Sequence, residues 1–203
     1  MNNELIVAII TAVTTSVVGP IAVHYVKLLT EKKNKDPLEG AIEANQLITD
    51  KLEQVQEMSS ADRVWLLQFH NGGYFFPTGK SIQKFSMVYE LNKQGVIPCQ
   101  HQLQNIPVSL FSRSITNLHK GFVISIPDTS IDNKQFEGFT SVISGAGVKS
   151  TYLFPVYTIK NEFCAIVGID FVAKKKNLTN QEVTDIDLEL STIGGVLNSY
   201  LNS

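Results

Sequence analysis

Polar side chains stand where two strand-like segments end, and such positions are suited to contact with a small molecule. The segment ADRVWLLQFHNGG alternates between two faces as a strand does, and it ends near His70 and Asn71. A second alternating segment, KFSMVYEL, ends near Tyr89 and Glu90. Because a few polar groups in a cleft fix the orientation of a ligand, we predict these four residues as ligand contacts. Ordinary hydrogen bonding at a sheet edge is the alternative interpretation.

The loop between these two segments resembles a phosphate-binding loop but does not fit one. A P-loop has four residues between its first glycine and the Gly-Lys-Ser/Thr triplet, and it opens a helix. Here the residues YFFPT, one too many, separate Gly73 from Gly79, and the chain after Ser81 alternates like a strand. The sequence therefore predicts no nucleotide hydrolysis at this loop.

Cysteines and histidines are too few and too scattered to form a metal site. The chain has 2 cysteines and 4 histidines, and their spacing matches no zinc motif. A free cysteine is more often a small buried apolar residue than a reactive one. We therefore predict no catalytic residue, no metal and no cofactor, and a protein that is not an enzyme.

Composition indicates a globular chain without affinity for nucleic acid. The 203 residues are 43% hydrophobic and 18% charged, with a formal net charge of −2. This length suits one domain with an appendage. The absence of a basic excess argues against a nucleic-acid partner.

Residues 5–26 form an uncharged, largely apolar run that is long enough to cross a bilayer as a helix. A helix rises about 1.5 Å per residue, and the hydrocarbon core is about 30 Å thick. A cleaved signal peptide would need a basic start and a small-residue cleavage site, which this run lacks. A buried or partner-binding helix is the remaining alternative. We therefore predict a single transmembrane helix.

The charges that flank this run predict its orientation. Four lysines follow it within residues 27–35, and no lysine or arginine precedes it. The positive-inside rule then places the N-terminus outside and the C-terminal domain in the cytoplasm. We interpret residues 27–37 as a charged juxtamembrane linker and residues 38–203 as the cytoplasmic domain.

A helical repeat follows the linker, from residue 38 to about residue 58. Asn45, Ile48, Leu52 and Val55 share one stripe at alternating spacings of three and four, and a polar residue in such a stripe can fix the register of a helix pair. We predict these four residues as a dimerisation contact and the protein as a homodimer. Packing of this stripe on its own domain is an equally weighted alternative.

The rest of the chain mixes strands and helices in an α+β order. Strand patterns cover residues 63–71 and 84–91, the second with Phe85, Met87 and Tyr89 on one face. Further predicted elements are a helix over 107–120, a strand at FVISIPDT, a short helix at NKQFEGFTSVISG, a hairpin turning near residues 160–161, and a final helix opened by the capping box TNQE. This order indicates a mainly antiparallel sheet flanked by helices.

The C-terminal half resembles a GAF domain. The resemblance rests on Phe154-Pro155-Val156 in one strand, the polar turn 160–162, Gly168 in the next strand, and the Leu178-Thr179 cap before a long terminal helix. It covers about residues 38–201 and implies a GAF-like central antiparallel sheet flanked by helices, behind the predicted transmembrane helix. It indicates the fold far more strongly than an activity.

The resemblance also implies where a pocket lies. In GAF domains the region after the strand that corresponds to FVISIP lines the ligand pocket, which adds Asp128, Thr129 and Phe136 to the predicted ligand contacts. The family's bilin attachment needs a cysteine at the pocket rim. Cys99 falls between elements and Cys164 within a strand, so we do not expect a covalent chromophore. The family's cyclic-nucleotide pattern is broken in this chain.

Two functions follow as expectations. The first is a membrane-anchored sensor that binds an unidentified small molecule and changes the packing of its helices or a partner. It predicts a polar, open cleft near His70 and Asp128. The second is a membrane-tethered scaffold or dimerisation module whose pocket is filled by its own side chains. A filled cleft would favour it.

Overall fold

The computed structural model describes residues 23, 37–74, 79–131, 138, 142 and 145–201. The chain divides into two compact units, residues 1–43 and 44–203. The predicted span 5–26 lies outside the described residues apart from Val23, and the linker 27–37 apart from Pro37. Across the described ranges, no helix combines the length and the apolar character that a bilayer crossing requires.

Among the described residues, six strands form one antiparallel sheet in the order β3-β2-β1-β6-β5-β4. This confirms the predicted α+β class and the central antiparallel sheet. The strands are β1 Arg63–Tyr74, β2 Ser81–Asn92, β3 Ile106–Pro107, β4 Ile124–Ile126, β5 Ser150–Tyr157 and β6 Phe163–Phe171.

Two long helices, α1 Pro37–Ser59 and α3 Asn180–Leu201, supply the apolar layer on one face of the sheet. We call this side the helix face. The predicted capping box opens α3, because the Glu182 carboxylate accepts the Thr179 N–H at 2.7 Å and the Thr179 hydroxyl accepts the Glu182 N–H at 3.2 Å. Alternate residues of β1, β5 and β6 complete this layer, among them Leu66, Phe154 and Val167.

The opposite face of the sheet carries a second apolar cluster, and we call it the loop face. Short elements cover it, chiefly a 3₁₀ turn at Gln100–Gln102, a second at Val108–Phe111, and helix α2 Ser112–His119. Trp65, Leu67 and Phe85 come from the sheet, and Phe111 and Leu118 come from the covering segments. The helix predicted over 107–120 is thus divided into β3, a 3₁₀ turn and α2. Of the predicted helix over 133–144, only residues 138 and 142 are described, and both are helical.

A β-bulge corrects the predicted faces of β2. Leu66 pairs with Tyr89 and Leu67 pairs with Met87, which leaves Val88 as an extra residue. An extra residue in one strand reverses the alternation beyond it. Phe85 and Met87 therefore lie on the loop face, whereas Tyr89 packs on the helix face. The prediction that these three share one face was wrong for Tyr89.

The stripe predicted to form a dimer contact is the core face of α1. Ile48, Leu52 and Val55 are at most 1% exposed and pack against the sheet of their own chain. The dimerisation assignment is corrected for these three, because a second copy cannot reach them. Asn45 is exposed, and its side-chain oxygen accepts a hydrogen bond from the Tyr89 hydroxyl.

Candidate functional site

A row of four polar residues crosses the loop face of the sheet. The strand register places Asn92 beside Arg63, Arg63 beside Asp170, and Asp170 beside Thr151. Directly opposite residues in an antiparallel sheet lie close enough for their side chains to interact. We call these four residues the polar row. In the adjacent register position, Glu90, Trp65 and Gly168 stand side by side.

Arg63 is the centre of the polar row, and its side chain is fully buried. Its Nε lies 3.1 Å from the Glu90 carboxylate and 3.0 Å from the Asn92 side-chain oxygen. Its two terminal nitrogens donate to Asp170 at 3.1 Å and to the Ile97 carbonyl at 2.6 Å. The planar guanidinium with five donors suits this arrangement, which a lysine could not reproduce.

Asp170 is the second buried charge of the polar row, at 1% exposure. One carboxylate oxygen accepts from Arg63 and from the Trp65 indole N–H at 2.9 Å, and the other accepts from the Thr151 hydroxyl at 2.7 Å. Burial nevertheless raises the pKa of Asp170, against the lowering effect of these three partners. The hydrogen bonds therefore offset only part of the cost of burying this carboxylate.

Glu90 connects the polar row to the segment that covers it. Its two carboxylate oxygens accept the backbone N–H groups of Cys99 at 2.8 Å and Gln100 at 2.9 Å. Together with the Arg63 bond to the Ile97 carbonyl, this fastens residues 97–100 to the sheet at three backbone atoms. The covering segment is thus positioned by charged side chains rather than by strand pairing.

A narrow pocket borders this cluster. Its empty volume is about 230 Å³ including space open to solvent, and no part of it admits a water-sized sphere. The lining residues are Arg63, Trp65, Cys99, Gln102, Leu103, Val142, Ala146 and Asp170. The Trp65 ring lies directly over Gly168, where an added Cβ would collide with it. The glycine thus makes room for the indole that forms one wall.

The charge balance of the cluster is uneven. One guanidinium faces two carboxylates, so one negative charge is in excess when all three are ionised. Buried ion pairs are weak stabilisers because desolvation offsets their attraction. Ionisable groups with shifted pKa values beside a cavity are instead typical of functional sites. This cluster is therefore the candidate site.

The predicted ligand contacts His70 and Asn71 lie elsewhere, toward the far end of the β1–β2 hairpin. The His70 ring nitrogen Nε2 is 2.9 Å from the Ser86 hydroxyl, and the Asn71 side-chain oxygen accepts from Gln83 at 2.8 Å. These contacts match the sheet-edge alternative. Of the residues predicted on β1 and β2, Glu90 belongs to the candidate site, whereas Tyr89 is on the opposite face.

The ligand contacts predicted after β4 also lie outside the candidate site. Asp128 faces solvent, where hydrogen bonds from Lys175 at 2.5 Å and from Ser130 lower its pKa to about 2. Thr129 is buried and donates to the Val148 carbonyl at 2.5 Å. Phe136 lies outside the described residues. The six predicted contacts that the structure describes therefore do not form one site.

Arg63, Trp65 and Asp170 were missing from the predicted set. A signal for two of them was present, because Arg63 opens the apolar run VWLL and Asp170 interrupts the apolar run CAIVGIDFV. A charge within a strand that is otherwise apolar on both faces needs a buried partner. The sequence does not reveal that Arg63 and Asp170 are each other's partner, because β1 and β6 are far apart along the chain.

The two cysteines are poorly suited to covalent chemistry in this structure. Burial raises the pKa of Cys99 to about 12 and the pKa of Cys164 to about 11. The thiolate is the reactive form of cysteine, and these shifts keep it scarce at neutral pH. Among the described residues, no group of three or more His, Cys, Asp or Glu side chains is placed to hold a metal ion.

Comparison with solved structures places this architecture among GAF domains. No protein-family model and no curated protein matches the chain. The GAF3 domain of Slr1393 from Synechocystis sp. PCC6803 superposes with a TM-score of 0.61 at 12% identity, covering 77% of this chain and 94% of that one. The PixJ GAF domain of Thermosynechococcus elongatus gives 0.61 at 13% identity, covering 80% and 89%. A far-red absorbing domain with bound biliverdin IXα gives 0.58 at 10% identity, covering 77% and 98%. The described fold is therefore GAF-like.

Proposed function

We propose that the chain is a non-catalytic, GAF-like sensory domain and that the cavity over Trp65 is its ligand site. The observation that carries this proposal is the buried Arg63–Glu90–Asp170 cluster beside a narrow pocket. One structural neighbour holds biliverdin, which supports ligand binding by this fold. The raised pKa values of Cys99 and Cys164 argue against covalent attachment here.

Ligand binding requires the covering segments to move, because the cavity has no room even for water. The closed conformation is then the unliganded state, and the ligand selects a minor open state. Its apparent affinity is reduced by the fraction of molecules that are open. The output is a shift of α1 and α3, since β1 and β6 carry site residues on the loop face and helix contacts on the other face.

A second candidate function is a scaffold or dimerisation module without a ligand. The lack of room for a water molecule in the pocket and the mutually paired charges of the cluster favour it. Its interaction surface then lies on the exterior of the domain, and the cluster serves only to hold residues 97–100 in place.

Native mass spectrometry of the purified full chain distinguishes these two functions. A sensor is expected to carry or capture a small molecule whose mass is lost on denaturation. At about 100 times the dissociation constant, the ligand would add roughly 2.7 kcal/mol to the unfolding free energy. An apo mass, with neither a melting shift nor a change in Trp65 fluorescence across a metabolite library, would favour the scaffold.

We also propose that residues 5–26 anchor the protein in a membrane with the GAF-like domain in the cytoplasm, and that the protein is a homodimer. The uncharged run and the lysines after it support the first point. A C-terminal reporter active only in the cytoplasm tests the topology. Light scattering of the detergent-solubilised chain tests the dimer, and a monomer at tens of micromolar would contradict it.

A further inference from the structure

One segment between β2 and β3 forms a wall of the pocket, and we call its residues 97–105 the strap. Three of the residues that line the pocket, Cys99, Gln102 and Leu103, belong to the strap. We propose that the strap is a gate that detaches from the sheet as one unit, with the Glu90 carboxylate as its latch. The inference rests on the proposed ligand site, because it names the segment whose movement gives access to that site.

Backbone pairing contributes little to the attachment of the strap. Among the described residues, one backbone–backbone hydrogen bond joins it to the sheet, from the Met87 N–H to the Leu103 carbonyl at 2.7 Å. The other attachments use side chains. The Gln104 amide donates to the Met87 carbonyl at 2.8 Å, and the Asn105 N–H donates to the Ser86 hydroxyl at 2.9 Å. The strap can therefore open without unpairing the strands beneath it.

Charged side chains hold the first half of the strap. The two carboxylate oxygens of Glu90 accept the N–H groups of Cys99 at 2.8 Å and Gln100 at 2.9 Å. Arg63, whose Nε lies 3.1 Å from the Glu90 Oε1, donates to the Ile97 carbonyl at 2.6 Å. Hydrogen bonds that involve an ionised group are about twice as strong as neutral ones. The strength of the latch therefore depends on the negative charge of Glu90.

The strap buries few apolar side chains, so its detachment costs little hydrophobic free energy. Within residues 97–105, only Cys99 and Leu103 are buried, at 5% and 3% exposure. Ile97, the first residue of the strap, is 79% exposed. Few buried apolar contacts are typical of segments that open while the rest of the domain stays folded.

Both ends of the strap have residues suited to a hinge. Gly95, shortly before the strap, has a φ of 88°, and Asn105, its last residue, has a φ of 57°. Glycine and asparagine enter and leave this left-handed region at lower steric cost than most residues. Hinges are a few loop residues that absorb changes in φ and ψ. We therefore place the two pivots of the strap at Gly95 and Asn105.

The thiol of Cys99 reports on opening, because a reagent can reach this buried side chain only when the strap detaches. The test uses the purified full chain with Cys164→Ser, which leaves Cys99 as the only cysteine. Iodoacetamide labels the thiol, and mass spectrometry follows the rate. At low urea concentrations we expect a rate that hardly changes with urea, because local opening exposes little surface. Global unfolding exposes much more and depends steeply on urea.

Variants then test the latch in the same Cys164→Ser chain. Glu90→Gln preserves the size of the side chain but removes its charge, and we expect it to accelerate the labelling of Cys99 at least tenfold. Glu53→Gln makes the same chemical change at an exposed position of α1 and should leave the rate unchanged. In the open state the thiol is in water in every variant, so the ratio of rates compares the opening equilibria.

Two outcomes overturn the proposal. If the labelling rate of Cys99 rises with urea as steeply as global unfolding from the lowest concentrations, the thiol is reached only in the unfolded chain. Equal rates in Glu90→Gln and Glu53→Gln would reject Glu90 as the latch. The urea dependence needs neither variant, so it remains decisive if Glu90→Gln does not fold. Neither measurement includes a ligand, so native mass spectrometry still decides separately whether the domain is a sensor.

Discussion

At the scale of single residues, Arg63 determines whether the loop face of the sheet can hold two carboxylates. Its guanidinium contacts Glu90, Asp170, Asn92 and the Ile97 carbonyl, and it is fully buried. A buried pair contributes little net stability, but removal of one partner leaves the other charge uncompensated. The cluster is therefore sensitive to any change that alters its charge.

Substitution Arg63→Met is expected to lower the unfolding free energy by about 3–5 kcal/mol, because two buried carboxylates lose their cation. Urea denaturation measures it. Lys51→Met is the matched control, since Lys51 pairs with Glu189 at a partly exposed site. Such a pair contributes about 0–1 kcal/mol. Similar losses in both variants would contradict a central role for Arg63.

The titration of Asp170 gives a pH dependence of known sign. Burial raises its pKa above the ordinary 3.8, so the folded chain holds this proton more tightly than the unfolded chain. The resulting stabilisation is complete below pH 3.8 and is lost as the pH rises through the folded-state pKa. Relative to Asp170→Asn, the unmodified chain should therefore lose unfolding free energy over that range. If the difference in unfolding free energy between the unmodified chain and Asp170→Asn stays constant across pH, this assignment is refuted.

At the scale of elements, α3 approaches the end of β5 closely at Gly194. A Cβ built on Gly194 would penetrate the Tyr157 carbonyl oxygen, which is backbone and cannot rotate away. At the next residue, Gly195, an added Cβ would meet the Ile159 side chain at 3.9 Å, an ordinary van der Waals contact. The two adjacent glycines thus have different roles: Gly194 sets the distance between helix and sheet, whereas Gly195 does not.

Gly194→Ala is expected to destabilise the fold by about 1–3 kcal/mol through overpacking. Gly195→Ala should instead be neutral or stabilising by up to about 1 kcal/mol, because alanine favours helix. Thermal unfolding measures the difference in stability between the two variants. Both substitutions bring the same gain in helix propensity, so that difference reports on packing against β5. Equal melting temperatures would mean that α3 does not rest on β5 at this point.

At the scale of the whole molecule, one sheet joins two apolar layers. The helix face buries Leu52, Phe154 and Ile186, and the loop face buries Trp65, Phe85 and Leu118. Alternate residues of the same strands enter each layer. We therefore expect a disturbance on either face to reach the other through the shared strands, which is also the route proposed for the output of ligand binding.

Leu52→Ala on the helix face is expected to cost about 2–5 kcal/mol, since the side chain is fully buried. If the sheet couples both layers, far-ultraviolet circular dichroism and Trp65 fluorescence should report one shared transition. Both midpoints should fall together in the variant. A Trp65 transition that stays in place while the helix signal shifts would show that the layers unfold separately.

Local patterns were sufficient to predict most elements of the described chain. Alternation identified the strands, and the Thr179 and Glu182 capping box identified the start of α3. They failed at Val88, where a bulge that involves the partner strand reversed the faces of β2. Local patterns also did not show whether the apolar stripe of α1 contacts a second copy or the core of its own domain. Such a stripe indicates only that this face of the helix is covered.

The sequence by itself determined the α+β order, the GAF-like strand and helix pattern of the C-terminal half, and the absence of a recognisable catalytic or metal motif. Only the tertiary structure decided the candidate site. Arg63 and Asp170 are separated by most of the domain in sequence, yet antiparallel pairing of β1 with β6 makes them direct neighbours. Periodicity reports the environment of each segment, whereas strand order and register depend on contacts between segments that are distant in the chain.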